Sequence, residues 1–251
     1  MPPRNTRSVE RAPPYSEMAG IYDSFYSWKD YATESRRIRQ LIRANGPPRP
    51  MTLLDVGCGT GGHLVYLSRE FESTGLDLSP EMLREARRKL PKVRFVKARM
   101  EEFDLAWKYD VVLCLFSAIA SVRNESDLRR TLRQFARHLK PGGVAIVEPW
   151  FTRAQYQEGL THVRVSGTEE SPVARMSLSR RRGDRSIVEM HHLVGSPQGI
   201  RYWVERHDLG MFTVEMYLSA FRAAGFRARF LKNGLMKGRG LYVATLPRAP
   251  P

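Results

Sequence analysis

Leu53-Leu54-Asp55-Val56-Gly57-Cys58-Gly59-Thr60-Gly61-Gly62-His63-Leu64 runs from an apolar segment through four glycines and back to an apolar residue. The pattern predicts a buried strand, a tight turn and the start of a helix. In an α/β sheet such a turn lies at the carboxyl edge, where ligands bind. Glycine opens backbone conformations closed to other residues and lets a ligand come close. A triphosphate-binding loop would need Lys and then Ser or Thr after the last glycine; here His63 and Leu64 follow. Gly57-x-Gly59-x-x-Gly62 satisfies the dinucleotide pattern literally, yet Asp55 and Gly61 make the run Asp-x-Gly-x-Gly-x-Gly. An acidic side chain there suits a cationic amino group better than a second phosphate. Asp77, 20 residues beyond Gly57, closes Thr74-Gly75-Leu76-Asp77, where a carboxylate can accept hydrogen bonds from both ribose hydroxyls. Together these features fit an adenosine that carries an amino acid.

Outward from this turn the chain alternates. Apolar runs at 52–56, 74–78, 93–96, 109–116 and 143–148 predict strands, and 62–71, 79–90 and 124–140 predict helices. Ser79-Pro80-Glu81 is a helix-start signal, and Pro141-Gly142-Gly143 ends the last helix before the fifth strand. The fold class is therefore α/β, with a doubly wound, mostly parallel Rossmann-like sheet. Tyr15 to Ala44 predicts two N-terminal helices, and 1–14 is a proline- and arginine-rich tail without apolar periodicity, expected to be mobile. Short β-rich runs over 160–212 predict an antiparallel insertion, after which a helix at 213–224 and strands at 226–231 and 240–246 return to the sheet. The expected division is tail 1–14, core 15–150, insertion 151–212 and return 213–251.

At 251 residues, with 42% hydrophobic and 27% charged residues, the chain suits one well-buried domain with a smaller appendage. Without a signal segment or a run of about 18 apolar residues, a cytoplasmic protein with no membrane partner is expected. Cys58 and Cys114 stand in apolar contexts, so neither a disulfide framework nor a metal site is expected. The net charge of +15 draws anions such as nucleic acid, phosphorylated metabolites or acidic membrane surfaces without choosing among them. Arg129, Arg130, Arg133 and Arg137 suit the solvated side of a helix whose apolar face is Leu128, Leu132, Phe135, Ala136 and Leu139. Nucleic-acid binding is not favoured, because no alternation of aromatic and basic residues or separate binding module is present.

Asp55 to Gly61, Gly75-Leu76-Asp77-Leu78-Ser79 with Met82, and Leu139-Lys140-Pro141-Gly142-Gly143 resemble, at their mutual spacings over 50–150, the class I S-adenosylmethionine-dependent methyltransferases. A closer resemblance runs from Tyr15 to Leu246. Tyr15-Ser16 with Tyr22-Asp23, Lys29-Asp30-Tyr31, Leu113 to Ser117, Glu148-Pro149-Trp150-Phe151, Glu189-Met190-His191, Phe221 to Phe226 and Gly238-Arg239-Gly240-Leu241 carry it. They resemble the N,N-dimethyltransferases of nucleotide-linked amino sugars such as the TDP-desosamine and TDP-mycaminose precursors. That resemblance implies S-adenosylmethionine as cofactor, a sugar-nucleotide acceptor, and a homodimer formed with help from the insertion.

It also implies roles. Asp55, Gly57, Cys58 and Gly59 would hold the methionine end, Asp77 the ribose, and Leu78 and Met82 the adenine faces. Met100 and Leu115 would close on the adenosine and sulfonium, and Arg99 would stand at the cofactor's adenine. Tyr15 and Tyr22 would border cofactor and substrate, since an aromatic face attracts a cation, with Tyr15 orienting the nucleophile; one packed helix face is the alternative for both. Trp150, Phe151, Arg181 and Arg239 would meet the sugar nucleotide, although Arg181 equally suits a solvated turn within Arg180-Arg181-Arg182. His63 has no visible partner and reads as structural. Two departures stand out. Arg99 replaces the family's adenine-contacting aspartate, and an arginine has donors only, which leaves Glu101, Glu102 or the backbone to substitute. The histidine often found after Phe-Ser-Ser is absent from Phe116-Ser117-Ala118-Ile119-Ala120-Ser121. O- or C-methylation of another metabolite, or RNA methylation, is the alternative; Asp55 and the Pro141-Gly142-Gly143 block argue against a nicotinamide enzyme.

Overall fold

The computed structural model describes residues 11–248. Arg11–Ala12 forms β1, and two short turns, Ala19–Ile21 and α1 (Tyr22–Phe25), precede α2 (Tyr31–Asn45). The α/β core follows as β2 (Thr52–Val56), α3 (Leu64–Leu67), β3 (Glu72–Asp77), α4 (Pro80–Lys89), β4 (Arg94–Lys97), β5 (Tyr109–Cys114), α5 (Glu125–His138) and β6 (Leu139–Val147). The insertion is β7 (Thr161–Gly167), β8 (Pro172–Arg182), β9 (Arg185–Ser196) and β10 (Gly199–Gly210). Then α6 (Val214–Ala223), β11 (Arg227–Leu231) and β12 (Leu241–Thr245) return to the core.

The core sheet has seven strands in the order β11-β12-β6-β5-β2-β3-β4, and only β12 runs against its neighbours. From β2 the chain winds outward through β3 and β4, then crosses back to β5 on the other side of β2. The strand order therefore reverses between β2 and β5, and their carboxyl ends open the crevice where an α/β sheet binds ligands. Alternate residues serve two helical layers. Leu54, Val56, Val112, Cys114, Ala145 and Val147 pack toward α5 and α6 through Phe135, Tyr217 and Phe221. Leu53, Val111, Leu113, Val144 and Ile146 pack toward α2 and α3 through Ile38, Ile42, Leu64 and Leu67. Each fully buried Val, Leu, Ile or Phe among them contributes about 1.5–3 kcal/mol, which makes the strand ends a rigid platform. Helix starts follow capping chemistry: Ser79 accepts from Met82 N–H, Asn124 from Asp127 N–H and Thr213 from Met216 N–H.

The second sheet is an antiparallel meander of β7 to β10 with β1 as a parallel edge strand, Arg11 opposite Val204 and Ala12 opposite Glu205. This corrects the expected mobile tail. Residues 1–10 lie outside the described residues, but Arg11–Ala12 is held by a strand some 190 residues away, as the Tyr15–Glu205 contact beside it is also spaced. The helix expected over 62–71 narrows to the four residues of α3, because glycine-rich turns occupy its start. Pro141-Gly142-Gly143 does not separate helix from strand. β6 begins at Leu139, opposite Tyr109, and the register slips so that Val144 meets Val111, leaving these residues in a bulge with Gly142 at φ 83°.

Candidate active site

The glycine turn is built for close approach. Gly57, Gly59 and Gly61 have φ of 73°, 55° and 79°, a region in which a side chain is strained. Gly57 N–H and Cys58 N–H both donate to the Leu76 carbonyl, at 2.7 and 3.0 Å, which ties the turn to the end of β3. A Cβ on Gly57 would meet that of Ala118 at 2.5 Å, whereas Gly59 faces open space. Gly59 N–H donates to Asp77 Oδ2 at 2.8 Å and Ser79 N–H to Oδ1 at 2.9 Å, so the turn orients the carboxylate and leaves it further lone pairs for hydroxyl donors. Burial raises the Asp77 pKa, and the N–H groups of Ser79, Gly59 and Leu78 oppose the rise. Asp55 is only 2% exposed, and burial, followed by the charge of Asp77, pushes its carboxyl up to about 7. Two buried carboxyls beside an open glycine turn form a donor set that a cation relieves. The amino end and the ribose of S-adenosylmethionine fit it.

Around this turn Met100 is buried under Gly57, and its sulfur accepts from the Ser121 hydroxyl at 3.8 Å. Leu115 is buried at the end of β5, while Leu78 is 53% exposed at the crevice rim. Met82 packs with Met18, Ala19, Tyr22 and Phe25, which carries the N-terminal segment over α4. Cys58 keeps its thiol protonated, burial pushing the pKa well up. Arg99 turns to its own neighbours, Nη2 lying 2.5 Å from Glu101 Oε1 and Nε 3.3 Å from Glu102 Oε1. It therefore occupies both acids that stood as substitutes for the missing aspartate.

The second wall is a strained turn after β5. Phe116 and Ser117 have φ of 50° and 61° and are held from three sides. Phe116 N–H donates to Glu148 Oε2 at 2.7 Å, Ser117 Oγ to the Pro149 carbonyl at 2.6 Å, and Arg239 Nη1 to Ser117 Oγ at 3.0 Å. Glu148, fully buried, also accepts from Met236 N–H at 3.2 Å. Burial raises its pKa, against the opposing charges of Arg239 and Lys29. The Arg239 guanidinium lies 4.6 Å from the Trp150 ring, 5.4 Å from Phe151 and 5.7 Å from Phe116. With one N–H spent on Ser117, four of its five donors remain for an anion. Trp150 Nε1 donates to Ser186 Oγ at 2.9 Å and so ties this box to β9. Arg181 stands apart: its backbone N–H donates to Glu158 Oε1 at 3.0 Å and its Nε lies 3.6 Å from Oε2.

Tyr15, at φ 67°, meets Tyr22 edge-on at 6.2 Å, and Tyr22 meets Tyr26 at 4.6 Å. Tyr15 is 38% exposed, and desolvation, followed by the charges of Tyr26, Asp77 and Glu205, pushes its hydroxyl pKa up. The expectation that His63 lacks a partner is overturned. Its Nε2 lies 2.7 Å from Glu34 Oε2, and Lys29 Nζ donates to both Glu34 oxygens at 2.6 and 2.7 Å. Burial acts to raise Glu34, but the bonds from His63 and Lys29 outweigh it and hold the carboxyl below its usual range. Burial lowers the His63 pKa, so the pair is a carboxylate and a neutral imidazole. Glu148 was legible only as part of the Glu-Pro-Trp run; Lys29 and Glu34 carried no signal beyond Lys29-Asp30-Tyr31.

Residues 53–143 match the family model of a methyltransferase domain. The chain is 38% identical to dTDP-3-amino-3,4,6-trideoxy-alpha-D-glucopyranose N,N-dimethyltransferase of Streptomyces venezuelae, over 90% of this chain and 96% of that one. It is 39% identical to dTDP-4-amino-2,3,4,6-tetradeoxy-D-glucose N,N-dimethyltransferase of Saccharopolyspora spinosa, over 90% and 91%. Among solved structures it superposes on DesVI of Streptomyces venezuelae with a TM-score of 0.86 at 38% identity, covering 91% of this chain and 98% of that one. It also superposes on a SAM-bound amino pentose methyltransferase from Micromonospora echinaspora, involved in calicheamicin biosynthesis, at 0.81 and 38%, covering 90% and 96%.

Proposed function

Because the chain belongs to the S-adenosylmethionine-dependent methyltransferases, among the N,N-dimethyltransferases of dTDP-linked amino sugars, we propose that it methylates the amino nitrogen of a dTDP-linked amino deoxysugar. The observation that carries the reading is the Arg239 box. A guanidinium framed by Trp150, Phe151 and Phe116 donates to Ser117, and the next residue, Ala118, packs against Gly57 of the glycine turn. An arginine fork binds a diphosphate through parallel charge-assisted bonds, and such an anchor holds the sugar between itself and the cofactor turn.

When bound, S-adenosylmethionine supplies a methyl group already activated by its sulfonium. The protein's work is then alignment and exclusion of water, which contributes about 7–11 kcal/mol in favourable cases. Asp55 and the Gly57-to-Gly59 backbone hold the amino-acid end, Asp77 the ribose, and Leu78, Met82, Met100 and Leu115 the apolar flanks. Arg99 bounds the adenosine without accepting from it. Tyr15 and Tyr22 face the acceptor and orient an unprotonated amine. Arg181, engaged by Glu158, lies at the rim.

The chain works as a homodimer through the outward face of the insertion. Val163 (64% exposed) stands opposite Met176, and Val165 (71%) opposite Ala174, which pairs onward with Leu193 and Tyr202. So continuous an apolar patch marks a contact surface. No helix among the described residues is long and apolar enough to cross a membrane, and the cytoplasm is the proposed compartment. The test is Arg239→Lys, which keeps the charge and loses the fork. We expect the KM for a dTDP-amino sugar to rise roughly tenfold while S-adenosylmethionine affinity stays unchanged. An unaltered KM removes Arg239 from the acceptor site.

A further inference from the structure

Tyr15 is one of three non-glycine residues with left-handed backbone among the described residues, and the other two form the Phe116-Ser117 turn. Such a conformation persists only where the surroundings hold it. For Tyr15 the holders lie on the insertion. Its N–H donates to Glu205 Oε2 at 3.3 Å, and its ring meets that of His207 edge-on at 4.8 Å. Glu205 and His207 are two apart on β10 and so share one face of the sheet. His207 Nε2 lies 3.2 Å from Glu205 Oε2, and Trp203 Nε1 donates to Oε1 at 3.3 Å. Both are buried, Glu205 to 1% and His207 to 5% exposure. Ala12 pairs with Glu205 in register, which delivers the chain to Tyr15 alongside them. A buried carboxylate with three such partners is costly to maintain for packing alone.

We propose that Glu205 and His207 are positioning residues that fix Tyr15 against the acceptor, so that the insertion sets the geometry of transfer as well as covering it. The inference rests on the reading of Tyr15 as an acceptor-facing residue. The experiment combines steady-state kinetics, with S-adenosylmethionine and dTDP-3-amino-3,4,6-trideoxy-α-D-glucopyranose, and hydrogen exchange at the Tyr15 amide. The variants are Tyr15→Leu, Glu205→Leu, Glu205→Gln and the Leu/Leu double. Glu205→Leu is expected to lower kcat on the order of 10- to 100-fold, with cofactor affinity unchanged and the Tyr15 amide freed to exchange. Glu205→Gln, whose carbonyl still accepts the N–H, retains slow exchange and most of the rate. The double variant is no slower than the slower single, since both remove one arrangement. Losses that multiply in the double overturn the inference, as does full activity in Glu205→Leu beside a slow Tyr15→Leu. Full activity in Tyr15→Leu overturns the reading of Tyr15 as well. If Glu205→Leu fails to fold, His207→Leu carries the same expectations for kcat and coupling.

Discussion

Asp55, one residue before the end of β2, is buried, with Asp77 as a like charge nearby and its carboxyl held up to about 7 against an ordinary 3.8. An acid whose pKa rises on folding stabilises the fold while protonated, and loses that contribution as pH climbs from the lower value to the higher. The free protein is therefore expected to lose stability between about pH 4 and 7 through Asp55. A cationic ligand prefers the ionised form, so S-adenosylmethionine affinity should increase by up to about tenfold per pH unit below 7 and level off above it. Calorimetric titration at several pH values checks this, and Asp55→Asn should flatten the dependence. Asp77→Ala should weaken cofactor binding by about 1–3 kcal/mol through lost ribose bonds and a loosened Gly59; unchanged affinity removes Asp77 from the site. Both acids were legible in the sequence because strand, turn and carboxylate lie within one short stretch. The partnership of His63 with Glu34, 29 residues away, was not, because only packing of α2 against the turn creates it.

Among the elements, the glycine turn admits a sharper comparison than its spacing suggested. Gly57 and Gly59 both have positive φ, but only Gly57 has a neighbour, Ala118, within 2.5 Å of an added Cβ. Gly57→Ala is therefore expected to cost about 1–3 kcal/mol more than a conformational penalty alone, and Gly59→Ala about 1 kcal/mol, read as thermal midpoints of the free protein. Equal shifts contradict the close contact of the turn with the segment after β5. The central strands β2 and β5 were readable because strands buried on both faces leave continuous apolar runs. β1 was not, since two residues paired with β10 have no local pattern, and β6 carries Pro141 and Gly142 inside a bulge that reads locally as a stop.

Across the whole molecule, the core sheet supplies the cofactor turn and the β5 turn, the N-terminal segment supplies Tyr15 and Tyr22, and the insertion braces that segment through β1, Glu205 and His207. Fold and cofactor chemistry came from local motifs. Trp150, Phe151 and Arg239 of the proposed acceptor wall were named by resemblance, but the bond that joins Arg239 to Ser117 was not legible, because the two lie 122 positions apart. Quaternary structure has its own test: Leu193→Asp, charged at the centre of the outward apolar face, should convert a dimer to a monomer in sedimentation, and a native chain that is already monomeric contradicts the proposed interface. The most direct measurement of all is mass spectrometry of a dTDP-linked amino sugar incubated with the protein and methyl-labelled S-adenosylmethionine, beside phenol and RNA controls. We expect labelled methyl on the amino nitrogen of the sugar nucleotide and on neither control. An unmodified sugar nucleotide together with a labelled phenol or RNA contradicts the proposed acceptor, and no binding of S-adenosylmethionine at all contradicts the site itself.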